Sequence, residues 1–161
     1  MDSLVRGYLL SGLQGTPELL RSLLRDLDAD DPRWDETPDP DRFSIRGVLA
    51  HLADNLDVFA ERIERILGED HPRLPQWDPE AAATEGDYAH ADPRACLSKL
   101  ADGRAAIAAR LKAVPESAWL RTGHRERMGD LTLEELMTLM LIHDANHLRQ
   151  VAQWLEATAL A

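Results

Sequence analysis

Apolar residues recur at intervals of three and four along most of the chain, and no convincing stretch alternates strictly between apolar and polar residues. This periodicity predicts helices and no β-strands. Four long amphipathic helices are expected, over about 2–27, 44–67, 93–114 and 132–157. Within the first of them, Gly15, Thr16 and Pro17 predict a kink or a break near Pro17.

The segments between these helices are rich in prolines and polar residues, which is typical of loops. They cover about 28–41, 69–91 and 115–130, and they are longer than a minimal up-down bundle needs. We therefore predict an all-α fold, a four-helix bundle formed by a single domain over 1–161, with long loops folded over one end or the sides.

Composition and charge narrow the class of protein. The chain has 161 residues, with 18 Lys+Arg against 29 Asp+Glu and a net charge of −11, so it should repel nucleic-acid phosphates and anionic membranes. The single cysteine, Cys96, excludes an internal disulfide. The N-terminus has no signal-peptide pattern, and no apolar run is long enough for a membrane span, so we expect a cytoplasmic protein.

The last predicted helix carries two histidines, His143 and His147, at i and i+4 on one face. Their neighbours in that seam are apolar, so both imidazoles should face the bundle interior. Leaving two such rings unpaired costs about 1–3 kcal/mol each, and a metal ion would remove that cost. The alternative is that each is a core histidine hydrogen-bonded to a carboxylate or carbonyl. The spacing alone is a weak signal, because it lacks the glutamate of the H-E-x-x-H helix.

A third histidine, His51, lies on the flank of the apolar stripe of the second helix. A bundle helix touches two neighbours, so this flank can face the last helix. Three histidines from two helices would form a catalytic zinc or nickel site with one coordination position open. The alternative is a simple hydrogen bond at the bundle edge.

Other side chains are candidates for binding a substrate. Arg104 lies within the apolar seam of the third long helix, where it would clamp a substrate carboxylate or pair with a carboxylate such as Asp144. His124, in the loop before the last helix, is a candidate general acid/base or a surface histidine. His71 and His90 should be solvated. Asp54 and Asp57 are the other possible carboxylate partners of Arg104.

These residues together resemble the DinB/YfiT-like metalloenzyme family, in the same order over nearly the whole chain. The residues that carry the resemblance are Phe43-Ser44-Ile45-Arg46, His51-Leu52-Ala53-Asp54, Arg62, Leu74-Pro75-Gln76-Trp77-Asp78, Arg104, Arg121-Thr122-Gly123-His124, Gly129 and His143-Asp144-Ala145-Asn146-His147-Leu148-Arg149-Gln150-Val151. No single motif among them is specific, but the ordered set is.

The resemblance implies a four-helix bundle, often dimeric, with a divalent zinc or nickel ion on His51, His143 and His147. The same superfamily includes transferases that use low-molecular-weight thiols such as mycothiol or bacillithiol, and a thiol-dependent maleylpyruvate isomerase. One departure is Leu56, which stands where many relatives carry a glutamate. Asp54 is the candidate to replace that acidic group.

The leading hypothesis is a metal-dependent enzyme, a thiol-dependent S-transferase or a hydrolase of a small substrate, acting as a homodimer. The metal would generate a nucleophile, and Arg104, Arg62 or His124 would orient an anionic group of the substrate. The alternatives are a metal-binding module without catalysis and a structural helical bundle without metal.

Overall fold

The computed structural model describes residues 2–159 and confirms the all-helical bundle. Its helices are α1 (Ser3–Leu23), α2 (Ile45–Gly68), α3 (Pro79–Glu85), α4 (Pro93–Lys112) and α5 (Leu133–Ala159). Short 3₁₀ turns cover Pro32–Trp34, Tyr88–His90 and Glu116–Leu120. Met1 and residues 160–161, which the domain prediction includes, lie outside this range. No helix within residues 2–159 is long and apolar enough to cross a membrane.

The four long helices are arranged in a ring. Helix α1 packs against α4 and α5, and α2 packs against the same two helices, so α1 and α2 lie diagonally opposite. Two of the three connections between long helices, α1 to α2 and α4 to α5, therefore cross the bundle diagonally. This order accounts for the length of these two connections, because a diagonal crossing needs more chain than a tight turn between neighbours.

Residues that typically cap helices begin α2, α4 and α5. Ser44 accepts a hydrogen bond from the Gly47 backbone at 3.2 Å, and Asp92 caps α4 ahead of its first-turn proline. Before α5, Thr132 and Glu135 form the reciprocal pair of a capping box.

Helix α1 differs from the prediction in two respects. It has no break at Pro17, and it ends at Leu23 instead of near residue 27. Leu13 and Leu20 are fully buried on either side of Pro17, and Thr16 donates a hydrogen bond to Asp144 of α5 at 2.9 Å. Packing on both sides of the proline thus holds the helix together despite the missing backbone hydrogen bond.

The predicted absence of strands is also wrong. Residues Thr122–Arg125 (β1) and Gly129–Thr132 (β2) form an antiparallel hairpin in the segment expected to be a loop. Its strands have four residues each, too few for alternation to be visible in the sequence. The chain near Arg73 adds a parallel bridge to His124, which ties the loop after α2 to this hairpin.

The interior contains two apolar clusters with a polar group between them. One cluster contains Leu13, and the other contains Leu20, about two turns further along α1. Between these levels, Arg104 donates to Asp144 at 2.7 Å, with the two side chains 2% and 0% exposed, and Thr16 donates to the other oxygen of Asp144. These three residues, here called the buried polar layer, link α1, α4 and α5.

Candidate metal centre

Three imidazoles meet where α2 and α5 pack together. One ring nitrogen from each of His51, His143 and His147 lies within 4.8 Å of the others. The closest approach is 2.9 Å, between Nε2 of His51 and Nε2 of His143. No other group of three metal-ligating side chains of this kind is present in residues 2–159. The structure therefore brings together the three histidines selected from the sequence.

Helix geometry explains this convergence. His143 and His147 are one turn apart on α5, so their rings project in the same direction, with centroids 4.6 Å apart. His51 faces α5 from the flank of α2 and lies with its ring centroid 4.7 Å from that of His147. Two aromatic rings, those of Phe43 at 5.2 Å and Trp77 at 5.1 Å, pack on His51.

Burial keeps two of these imidazoles, those of His51 and His147, neutral. Desolvation lowers the pKa of His51 to about 3, and the neighbouring rings of His147 and His143 lower it further in the same direction. Desolvation likewise lowers the pKa of His147 to about 4, with His143 contributing to the decrease. Both rings are therefore in the form that binds metals at neutral pH.

The remaining ring nitrogens have different surroundings. Nδ1 of His51 and Nδ1 of His143 are buried, and neither has a hydrogen-bond partner among the described residues. Nδ1 of His147 lies 3.2 Å from Oε1 of Gln150. No motif in the sequence indicates a role for Gln150, although its position three residues after His147 on the same helix places the two on adjacent parts of one face.

A cavity of about 720 Å³ opens beside the three histidines, and His147 forms part of its wall. The segment before α2 and the start of α3 supply the opposite walls. Its lining residues are Pro40, Asp41, Arg42, Phe43, Pro79, Glu80, Asn146, His147 and Gln150. A small molecule can thus reach His147 from this side.

Arg62 contacts the loop that carries Trp77, whose ring packs on His51. Its guanidinium donates two hydrogen bonds to the carbonyl oxygen of Pro75, at 3.2 and 2.8 Å, and it is buried. Desolvation, together with repulsion from Arg125, lowers the pKa of Arg62 to about 10. By holding Pro75, Arg62 anchors the loop two residues before Trp77.

Arg104 lies in the buried polar layer. Of the two sequence alternatives, the structure shows the pairing with Asp144, the residue that follows His143. Burial lowers the pKa of Arg104, and Asp144 opposes that decrease. Two of its nitrogens, Nε and Nη1, are buried without a partner among the described residues.

Asp54 and His124 are placed outside the group of three imidazoles. Asp54 accepts a hydrogen bond from the Tyr88 hydroxyl at 2.7 Å, and burial together with this bond raises the pKa of Tyr88. Nδ1 of His124 lies 2.8 Å from Oδ1 of Asp130, whose other oxygen lies 3.1 Å from Nε2 of His71. Hydrogen bonding to these two histidines lowers the pKa of Asp130.

His90, which the sequence predicts to be solvated, and Cys96 are two further residues whose side chains could take part in chemistry. His90 is exposed and lies 2.8 Å from a carboxylate oxygen of Asp87. Cys96 is partly buried, and burial raises the pKa of its thiol, which disfavours the reactive thiolate. Neither residue lies in the cluster of three histidines.

Comparisons with known proteins support the fold and assign the family. No curated protein matches the chain in sequence. Among solved structures, YfiT from Bacillus subtilis is similar over 99% of this chain and 90% of its own, with a TM-score of 0.91 and 20% identity. That protein is described as a probable metal-dependent hydrolase with an unusual four-helix bundle topology. The model of the DinB superfamily matches residues 13–151, and the chain therefore belongs to the DinB superfamily.

Proposed function

We propose that this protein is a divalent-metal-dependent enzyme whose metal, zinc or nickel, is held by His51, His143 and His147. The observation that carries the proposal is the convergence of three imidazoles, two of them held neutral by burial, beside an open cavity. A catalytic metal site with three protein ligands leaves one position for water or substrate.

The residues fit such an ion. Two Nε2 atoms 2.9 Å apart can share only one proton, and the Nδ1 atoms of the same two rings are buried without hydrogen-bond partners among the described residues, so the cluster is poorly satisfied by hydrogen bonds alone. Three imidazoles are a donor set that suits zinc and nickel. When bound, such an ion lowers the pKa of a water or thiol that it coordinates and so supplies a nucleophile near neutral pH.

The chain's own residues would bind and cover the substrate. Phe43 and Trp77 pack on His51 and exclude water from that side, and Arg62 holds the Trp77 loop in place. The cavity beside His147 offers Arg42, Asn146 and other polar groups to a small substrate. In this arrangement Arg62 and Arg104 act through the scaffold, and the cavity residues contact the substrate.

The proposed reaction is hydrolysis or thiol-dependent S-transfer. Hydrolysis is supported by the similarity to YfiT, which is described as a probable metal-dependent hydrolase. S-transfer is supported by the resemblance of the sequence motifs to a family whose superfamily includes thiol-using transferases. A low-molecular-weight thiol would be a co-substrate of the transferase. The access to His147 from a cavity favours an enzyme over a closed, non-catalytic metal-binding module.

Metal analysis tests the ligand assignment. Untagged protein stripped with a chelator and supplied with zinc or nickel should retain about one ion per chain. His51→Ala, His143→Ala and His147→Ala should each lower the affinity sharply, whereas His90→Ala, at an exposed position, should not. Stoichiometric retention by all three site variants would contradict the assignment.

Activity assays then separate the functions. Metal-loaded protein is incubated with activated esters, amides and electrophilic S-transfer substrates, with and without a low-molecular-weight thiol, against the His143→Ala variant. Turnover without thiol indicates a hydrolase, and turnover only with thiol indicates a transferase. Metal binding without turnover of either kind favours the non-catalytic module.

We further propose a homodimer. Helix α1 exposes Leu4, Tyr8, Leu19 and Leu23, which lie close to one face of the helix. Exposed apolar side chains that share a helix face are typical of surfaces that bind another protein. A second copy of this chain, contacting this face of α1, is the proposed partner.

A further inference from the structure

We propose that Gln150 is a positioning residue that determines which nitrogen of His147 faces the metal. The proposal rests on the proposed function, because it concerns one of the three proposed ligands. Gln150 is 3% exposed and lies one turn from His147 on α5. Its side-chain amide contacts two groups, the His147 ring and the backbone carbonyl of Phe43.

The Phe43 carbonyl determines the orientation of the amide. A carbonyl oxygen only accepts hydrogen bonds, so the group of Gln150 that faces it at 2.7 Å must be the Nε2 amide nitrogen. The indole N–H of Trp154 donates a hydrogen bond to the same oxygen at 3.0 Å and so helps to hold that carbonyl in place. The orientation therefore follows from the chemistry of the partner and needs no choice between amide flips.

With Nε2 committed to Phe43, Oε1 of Gln150 faces Nδ1 of His147 at 3.2 Å. An amide oxygen accepts hydrogen bonds and cannot donate them, so Nδ1 of His147 must carry the proton. The lone pair of the ring then lies on Nε2, the nitrogen free to bind a metal. In metal sites of this kind, a hydrogen bond to the second ring nitrogen fixes the tautomer and the ring orientation.

His147 differs in this respect from the other two ligands. Nδ1 of His51 and Nδ1 of His143 have no hydrogen-bond partner in the described part of the chain. Phe43 also connects Gln150 to His51, because its ring packs on the His51 ring at 5.2 Å. Gln150 thus links His147 to the segment that covers the opposite ligand.

The first test needs no metal. In chelator-treated, ¹⁵N-labelled protein, long-range ¹H–¹⁵N spectra distinguish the protonated ring nitrogen of a neutral imidazole from the unprotonated one. Wild-type His147 should be in the Nδ1–H form. Gln150→Leu should produce a mixture of the two forms, whereas Gln153→Leu, an exposed position on the same helix, should preserve the wild-type spectrum. An unchanged Nδ1–H form in Gln150→Leu would overturn the proposal.

The second test measures zinc affinity by competition with a chromophoric chelator. Removal of such a hydrogen-bond partner typically weakens metal binding about 10- to 100-fold, so we expect this loss for Gln150→Leu and less than about twofold for Gln153→Leu. Equal affinities of the two variants would refute a positioning role. If wild-type protein binds no zinc but shows the predicted tautomer, the proposed function fails and the assignment of Gln150 stands.

A third variant covers the case in which Gln150→Leu does not fold. Gln150→Glu keeps an oxygen that accepts the Nδ1 proton of His147, although it loses the donor to Phe43. It should therefore retain the Nδ1–H form and bind zinc more tightly than a variant without an acceptor, Gln150→Met. A His147 ring protonated on Nε2 in Gln150→Glu would count against the proposal.

Discussion

Lowering the pH should destabilise the metal-free protein between about pH 7.5 and pH 5. In the unfolded chain, His51 and His147 titrate with a pKa near 6.5, whereas in the folded protein burial lowers the values to about 3 and about 4. The folded state then excludes two protons that the unfolded state binds. Stability is therefore fully present above pH 6.5 and is lost as the pH falls toward the folded values.

The magnitude follows from these pKa values. Over this interval each histidine contributes a loss of about 2 kcal/mol, so the free energy of unfolding should fall by about 4 kcal/mol for the pair. From the sequence alone, the metal-free protein is expected to depend on pH much less than the metal-bound protein, because its three imidazoles are free to protonate, subject to burial and mutual repulsion. The burial of the two rings in the structure replaces that expectation. Bound metal should raise the free energy of unfolding across this interval without adding to the slope from these two histidines, because the folded metal-free protein already excludes their protons.

The assay is urea denaturation of chelator-treated protein at several pH values, followed by circular dichroism. His147→Gln should lose about half of the pH dependence. His90→Gln, which removes an exposed histidine, should keep the wild-type slope and serves as the control. A free energy of unfolding that is constant from pH 7.5 to pH 5 would refute the reasoning that burial keeps these imidazoles neutral.

Three further predictions concern packing and assembly. Arg104→Met should lower the free energy of unfolding by about 3–5 kcal/mol, because it leaves Asp144 as a buried charge without its cation. Adding Asp144→Leu should restore most of that loss, as measured by urea denaturation. A fully additive loss in the double variant would contradict this coupling. Gly103→Ala should destabilise the protein by about 1 kcal/mol, since the added Cβ would lie 2.0 Å from a methyl of Leu56. Gly15→Ala, with open space around the added Cβ, should be neutral or stabilising. Equal melting temperatures of the two variants would refute the close approach at Gly103. Light scattering at micromolar concentration should give near twice the 18.0 kDa chain mass, and an 18.0 kDa species would exclude the homodimer.

The positions of the long helices and of the three histidines could be predicted because both depend on local rules. Apolar spacing determined the four long helices to within a few residues, except at the end of α1, where Leu24 and Leu27 are buried although they follow the helix. It did not predict the short helix α3, which lies in the segment 69–91 that was expected to be a loop. The i, i+4 spacing of His143 and His147 places them on one face of any α-helix. His51 required only that its flank face the last helix, and α2 and α5 are neighbours in the bundle.

The remaining features depend on contacts between distant parts of the chain. The sequence allows three carboxylates, those of Asp54, Asp57 and Asp144, as partners of Arg104. The packing of the helices selects Asp144. The role of Gln150 depends on a backbone carbonyl more than a hundred residues away, that of Phe43. The ring order of the helices leaves no periodic signal, because each helix presents an apolar stripe whichever neighbour covers it.

The buried polar layer also fixes how far α1, α4 and α5 can slide along their axes relative to one another. A slip of α5 by one turn, about 5.4 Å along its axis, would withdraw Asp144 from both Arg104 and Thr16 and place a carboxylate among leucines. His143 is the residue next to Asp144, so the same slip would carry His143 and His147 past His51 on α2. The ion pair between Arg104 and Asp144 thus fixes the axial position of α5, and the alignment of the three imidazoles depends on that position.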